Sequence, residues 1–438
     1  MNKTRLSLAI CAACAPALFC AADDSQLEPR LNPNIEQNAS PAMDYSQYPF
    51  LGTGSNRIEL NGAQWNAVAD KFAAAVAGDS LFSVVYLGDS HIQADFGGTV
   101  LRSRLTDASR KAGRGLVIPF KLASTNEPLD YTVATECEYS SSRLLKTPWN
   151  TDMPFTGIGI RPESDDFTID LGCEMPFNRL RFFYRGMAPE ILAVKCGADE
   201  LPFISSSTAP GTLALATDST AEKMQIVLRS DRRTTFAGVE LLSDTIGTLV
   251  HSIGNNGATY ATYANIEGFG AELCELAPDL VIVALGTNEA FGNISDDAFL
   301  TSVGTLIEDI RESSPQAALM LVSPTECYHK TYKHVKNSKG TKRRVKTTAV
   351  NPKAERIRGL LKQYAQEHAI PFYDHFAIAG GAGSASKMKK ASVLGRDGVH
   401  FTAAGYRLWG NLLADALLRE LVAADFAGEK NEADEKNN

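Results

Sequence analysis

Two almost unbroken apolar runs, residues 82–87 (FSVVYL) and 280–285 (LVIVAL), constrain the fold of this chain more than any other feature. A strand with one wet face alternates apolar and polar residues. A strand without that alternation is buried on both faces, as in a parallel sheet covered by helices. Helical patterns surround both runs. Trp65, Val68, Phe72 and Val76 recur at helical spacing within 61–77, and 94–111 reads as a helix. Further on, 248–253 reads as a strand and 260–276 as a helix. Ser295 can cap a helix whose apolar face is Phe299, Val303, Leu306, Ile307 and Ile310. A strand at 319–322, a helix at 354–367, a short strand at 371–373 and a closing helix at 402–421 complete the series. Five buried strands alternating with helices predict an α/β fold around a parallel sheet.

Between the two halves of this pattern the rhythm changes. Residues 114–245 carry short alternating runs, at 167–171, 180–184, 191–194, 224–228 and 236–241, separated by Gly, Pro, Asp and Ser. This is the pattern of a β-sandwich. The expected organisation is a leader at 1–22, a linker at 23–56, an α/β domain in two pieces (57–113 and 246–425), an inserted all-β domain at 114–245, and a polar tail at 426–438.

The leader reading rests on Lys3 and Arg5, an apolar stretch at 6–19, and a small-x-small site at Cys20-Ala21-Ala22. Export is the expectation, with lipid attachment at Cys20 the less favoured variant. Five cysteines lie beyond the leader: Cys137, Cys173, Cys196, Cys274 and Cys327. They contain no CxxC pair, which argues against zinc. A bridge among the first three and free thiols both remain open. The net charge of −8 makes nucleic acid a poor partner. No apolar run beyond the leader is long enough to span a bilayer.

Four loops at the expected carboxyl ends of strands carry chemistry. Gly88-Asp89-Ser90 puts a hydroxyl after the first buried strand, where α/β sheets bind ligands. Asp397-Gly398-Val399-His400 can supply a base and the acceptor that fixes its tautomer from one turn. Gly254-Asn255-Asn256-Gly257-Ala258-Thr259 and Gly286-Thr287-Asn288-Glu289 offer a close backbone N–H at Gly257 and a side-chain N–H at Asn288 to an oxyanion. Each alone is ordinary turn chemistry. The four in this order are more than that.

Together these blocks resemble the SGNH (GDSL-type) hydrolases over the α/β portions. By that resemblance Ser90 is the nucleophile, Asp397 and His400 complete the triad, and Ser90, Gly257 and Asn288 form the oxyanion hole. It implies a flavodoxin-like three-layer α/β/α fold and ester hydrolysis without metal or cofactor. Two departures stand out: His91 follows Ser90 where the family has Leu, and Glu289 follows Asn288 where it has Asp. GDSHIQADF, GRGLVIPFKLASTNEP, GTNEAF, IAGGAGS and DGVHFTAAGY are further similar to secreted bacterial peptidoglycan O-acetylesterases. The expected function is removal of O-acetyl groups from a glycan. The alternatives are a lipid esterase or thioesterase on the same site, and a catalytically silent glycan-binding protein.

Other residues invite a plainer reading. His251 and His375 are expected in structural roles, and His91 either touches substrate or supports the site. Phe167, Phe182, Phe183, Tyr184 and Phe203 are expected in the core of the inserted domain. Residues 330–346 hold eight Lys or Arg. This stretch, with His329 and His334 beside it or within it, reads either as a solvated mobile face or as an attractor of an acidic glycan.

Overall fold

The computed structural model describes residues 43–230, 232–336 and 342–435. The expected leader and the first part of the expected linker lie outside the described residues. A five-stranded parallel sheet runs in the order Thr248–Gly254, Phe82–Gly88, Leu280–Ala284, Ala318–Val322 and Phe372–Tyr373. In chain order this is 2-1-3-4-5, the flavodoxin-like arrangement, and the strand order reverses beside the first strand. All five fall where the apolar runs placed them.

Both faces are covered, and the first strand shows how. Phe82 and Val84 join one apolar cluster, with Trp65, Phe72, Leu101, Leu105 and Leu412. Val85 and Leu87 join the other, with Phe299, Val303, Leu306, Ile357 and Leu361. The helices Asn66–Ala77, Phe96–Ala108 and Ala403–Glu435 supply the first cover, and Asp296–Ser313 and Pro352–Glu367 the second.

Several boundaries differ from expectation. The helix expected over 260–276 breaks into Tyr260–Ala264, Phe269–Leu273 and a 3₁₀ turn, because Gly268 takes a left-handed conformation between the first two. The closing helix continues in its backbone to Glu435, through most of the expected polar tail. Residues 43–56 are not an exposed linker. Asn56 is buried, donates to Leu412 O at 2.9 Å and accepts from Tyr373 Oη at 2.9 Å, while Tyr45, Tyr48 and Phe50 pack on the core.

The strands between the two α/β pieces form one antiparallel sheet of ten strands. Its two longest, Asp166–Arg185 and Thr212–Arg229, each fuse runs that read as separate. Their pairing loses register between Ala216 and Lys223, opposite Pro176, which has no N–H to donate. Ladder continuity across this irregularity makes one sheet of what the pattern suggested as two. Phe236 pairs beside Tyr184 at one end of the strand Asp166–Arg185, and its ring stacks on Phe167 at the other with centroids 5.9 Å apart, so that strand folds over a common interior. Phe167, Phe182, Phe183 and Tyr184 are buried there as expected, and Phe203 packs at its edge.

That interior is continuous with the α/β core, since Leu116, Phe155 and Phe182 belong to the same cluster as Leu87, Ile253 and Tyr260. Buried charge joins the two parts as well. Asp95 Oδ2 accepts from Arg102 at 2.9 Å and from Arg114 at 2.7 Å, and Arg114 forks onto Asp130 at 3.0 and 3.1 Å. Asp95 begins a helix beside the parallel sheet, and Arg114 lies in the first strand of the antiparallel one.

The five cysteines are separate thiols. Among the described residues, no helix is long and apolar enough to cross a membrane, and no group of three or more His, Cys, Asp or Glu is arranged to hold a metal ion.

Candidate active site

The first strand ends at Gly88, where a side chain has no room. A β-carbon there would come within 2.4 Å of Ile92 and 2.8 Å of Ala284 O. The chain therefore turns tightly into the short helix Ser90–Gln93, capped by Asp89, whose Oδ1 accepts from His91 N at 2.9 Å. This turn lifts Ser90 to the carboxyl edge of the sheet.

His400 meets it from the loop before the last helix. Ser90 Oγ lies 2.8 Å from His400 Nε2, and His400 Nδ1 lies 2.7 Å from Asp397 Oδ2. Asp397 Oδ1 also accepts from Val399 N at 2.9 Å and His400 N at 3.1 Å, which fixes the turn. Burial works against ionising Asp397, but the hydrogen bonds from His400 and Val399 outweigh it and hold the carboxyl below its ordinary value. An ionised carboxylate on Nδ1 leaves Nε2 free to accept the Ser90 proton.

Among the described residues, the backbone N–H groups of Ser90 and Gly257 make no hydrogen bond. Gly257 takes a left-handed φ of 87°, which suits glycine. Asn288 lies beside Asp89: its amide donates to Ala258 O at 2.9 Å and to Asp89 Oδ2 at 3.2 Å. The three donors expected for an oxyanion thus come from loops linked through Asn288, with its amide engaged in the resting site.

The neighbours of the triad were harder to foresee. Glu289 is buried, and its Oε1 accepts from Tyr260 N at 2.9 Å, tying the Asn288 loop to the helix after Gly257. Burial pushes its carboxyl up to about 7, against backbone N–H groups that partly oppose the shift. Asp89 is also pushed up to about 7, chiefly by burial and further by Glu289, with the His91 N–H opposing. Gln93, buried, accepts from Asn256 N at 2.8 Å and donates to Thr125 Oγ1 at 2.9 Å and Asn126 O at 2.8 Å. It therefore joins the Gly257 loop to the antiparallel part. Leu145, from that part, faces Gly257 and is 46% exposed, and nearby in the chain Trp149 is half-exposed.

The other histidines separate by position. His91 packs 5.4 Å from His400 between ring centroids, with its Nδ1 3.2 Å from Tyr406 Oη. Burial, reinforced by His400 and His375, lowers its pKa to about 3, so it stays neutral beside the base. His375 packs edge-on to Trp409, and burial lowers it to about 4. His251 accepts from Leu116 N at 3.1 Å inside the core. His91, His375, Phe401, Tyr406 and Trp409 line a cavity of about 60 Å³.

The described residues of the basic stretch are β-strand. They form an antiparallel hairpin of Tyr328–Lys336 and Lys342–Val350 that starts at the catalytic turn, where Tyr328 N donates to Gly398 O at 2.8 Å. Alternation was hidden there because most of its residues are polar or charged.

The GDSL-like lipase/acylhydrolase family matches residues 218–408, a span that includes Gly257, Asn288, Asp397 and His400. Ser90 lies before that span, separated by the antiparallel insert, and the fold brings it to His400. Among solved structures, the chain is similar to a peptidoglycan O-acetylesterase with 22% identity and a TM-score of 0.66, over 83% of this chain and 97% of that one. It is also similar to a lipase/acylhydrolase from Enterococcus faecalis, with 20% identity and a TM-score of 0.28 over 39% of this chain and 75% of that one. A putative acylhydrolase from Bacteroides fragilis matches with 21% identity and a TM-score of 0.29, over 40% and 76% of the two chains. No curated protein matches the sequence. Residues 218–408 thus carry the match to the GDSL-like lipase/acylhydrolase family within an SGNH fold, and the chain is a carboxylic ester hydrolase.

Proposed function

We propose that the protein removes O-acetyl groups from a glycan through an acetyl-enzyme on Ser90. Ser90 Oγ attacks the ester carbonyl as its proton passes to His400 Nε2. Asp397 holds the Nδ1 proton and stabilises the imidazolium. Ser90 N–H and Gly257 N–H point charge at the oxyanion, and Asn288 joins them by giving up its longer bond to Asp89. The sugar hydroxyl leaves with the proton from His400. Water then attacks the acetyl-enzyme with His400 again as base, releasing acetate and restoring Ser90.

The observation that carries the substrate reading is the openness of the triad. The side chains of His400 and Asp397 are 45% and 52% exposed. An acyl group projecting from a polymer can reach such a site, whereas a long acyl chain needs an apolar channel. The similarity in fold to a protein described as a peptidoglycan O-acetylesterase supports the same reading. Acetate release from O-acetylated peptidoglycan, compared with acetylated xylan and with acetyl and octanoyl aryl esters, tests it. Turnover of octanoyl over acetyl esters favours the lipid alternative.

We propose too that the protein is exported, on the strength of its first 22 residues. A mature chain beginning at Asp23 supports this, a lipid on Cys20 makes it membrane-anchored, and an intact Met1 in the folded protein overturns it.

A further inference from the structure

Strand pairing sorts the hairpin's charges onto one face. Directly paired residues in an antiparallel ladder project to the same side, and successive residues alternate. The pairs Tyr328–Val350, Lys330–Thr348, Tyr332–Lys346, His334–Arg344 and Lys336–Lys342 share one face. That face carries five cations, Lys330, Lys336, Lys342, Arg344 and Lys346, together with two tyrosines. The other face pairs His329 with Ala349, Thr331 with Thr347, Lys333 with Val345 and Val335 with Arg343, and so holds two cations. Exposure follows the same division. Nine of the ten residues on the cationic face are exposed, Tyr328 excepted, while His329, Thr331, Val345, Thr347 and Ala349 on the other are half-buried.

Like charges opposed across a ladder repel, and an isolated two-stranded hairpin is marginal in water. None of these cations has a carboxylate partner among the described residues. The arm thus holds unneutralised positive charge on an acidic chain whose net charge is −8. Arg344 stacks on Tyr332 at 3.7 Å, which leaves its guanidinium edge toward solvent. The cationic face is also the one that reaches the active site. Tyr328, at its base, packs on Gly398 between Asp397 and His400, and Lys389 lies 5.4 Å over the Tyr328 ring.

We infer that this face of the hairpin binds a carboxylate-bearing glycan strand and leads it to Ser90. The inference rests on the O-deacetylation reading and names the substrate class for it: an anionic rather than a neutral polysaccharide. Charge complementarity favours such a strand, and Tyr332, 52% exposed on the same face, adds apolar surface beside the cations.

Binding is measured first on Ser90→Ala protein, with polygalacturonate as the carboxylate polymer and xylan as the neutral one. The inference expects polygalacturonate to bind more tightly than xylan. Arg344→Gln/Lys346→Gln should weaken polygalacturonate binding about tenfold and flatten its salt dependence. Lys333→Gln/Arg343→Gln removes equal charge from the other face and should weaken it less than about threefold. Equal losses from both pairs, or no preference over xylan, overturn the inference. Duplex DNA bound more tightly than polygalacturonate through the same face overturns it in favour of nucleic acid.

Turnover then separates this inference from the reading beneath it. In the protein with Ser90 intact, Arg344→Gln/Lys346→Gln should raise KM for O-acetylated polygalacturonate about tenfold and leave aryl acetate hydrolysis unchanged. Aryl acetate hydrolysis with no difference on the polymer refutes the arm alone. No aryl acetate hydrolysis by the wild-type protein refutes the esterase reading, whatever binds the hairpin.

Discussion

The side-chain amide of Asn288 lies 3.2 Å from Asp89 Oδ2, so the expected oxyanion donor is held by the residue directly before Ser90. Its second contact, to Ala258 O at 2.9 Å, reaches the loop of the backbone donor Gly257. One side chain thus ties the loop that carries Ser90 to the loop that carries Gly257. Asn288→Ala removes the donor and the tie together. The expected outcome is a fall in kcat of about 10²–10³ on aryl acetate with little change in KM. Steady-state kinetics check it, and an unchanged kcat removes Asn288 from the oxyanion hole.

Asp397→Asn is nearly isosteric but leaves no charge to face the imidazolium. It also favours the wrong His400 tautomer. A loss in kcat of about 10²–10⁴ is expected, with thermal stability nearly kept because Asp397 is half-exposed. Kinetics beside a melting curve separate this from simple unfolding.

Glu289 and Asp89 give the pH dependence of stability a definite sign. Both carboxyls are pushed up to about 7 in the folded chain, while ordinary carboxyls titrate near pH 4. Between those values the folded state holds more protons than the unfolded one, so stability falls as pH rises from about 4 to about 7. Glu289 has an Oε2 without a hydrogen-bond partner, which makes it the natural holder of a proton. Glu289→Gln should flatten the fall: its Tm should match wild type near pH 5 and exceed it by a few degrees near pH 8, about 1 kcal/mol. Parallel melting curves across that range contradict the assignment.

Asp95 holds two buried guanidinium groups and, with them, the join between the parallel and antiparallel parts. Asp95→Ala takes from Arg102 and Arg114 the fully buried carboxylate they share and leaves them only the more exposed Asp130. Destabilisation of about 3–5 kcal/mol is expected, measured by denaturant titration. A change under about 1 kcal/mol shows the network to be dispensable.

Much of this architecture was legible because burial leaves a mark on composition. The run 82–87 announces a strand buried on both faces, and Val84 and Val85 indeed face opposite clusters. Ser90, Asp397 and His400 could be picked out because a serine nucleophile with its base calls for those residue types at strand ends, and the structure brings the three within hydrogen-bonding distance. The hairpin at 328–350 was illegible as structure because its strands bury little and so carry no apolar alternation. Glu289 and Gln93 were missed for a different reason. Their parts depend on which loops the fold brings together, Tyr260 to Glu289 and Asn256 to Gln93, and spacing along the chain does not encode that. The long strand Asp166–Arg185 escaped because Pro176 reads as an end, although the strand continues past it.

Covalent labelling shows whether Ser90 is the nucleophile. The native protein is treated with a serine-directed fluorophosphonate, digested, and mapped by mass spectrometry. A single phosphonylated residue, Ser90, is expected, with aryl acetate hydrolysis lost in proportion to labelling and no labelling in His400→Ala. Full esterase activity in protein labelled at Ser90, or inactivation with the adduct elsewhere, would contradict it.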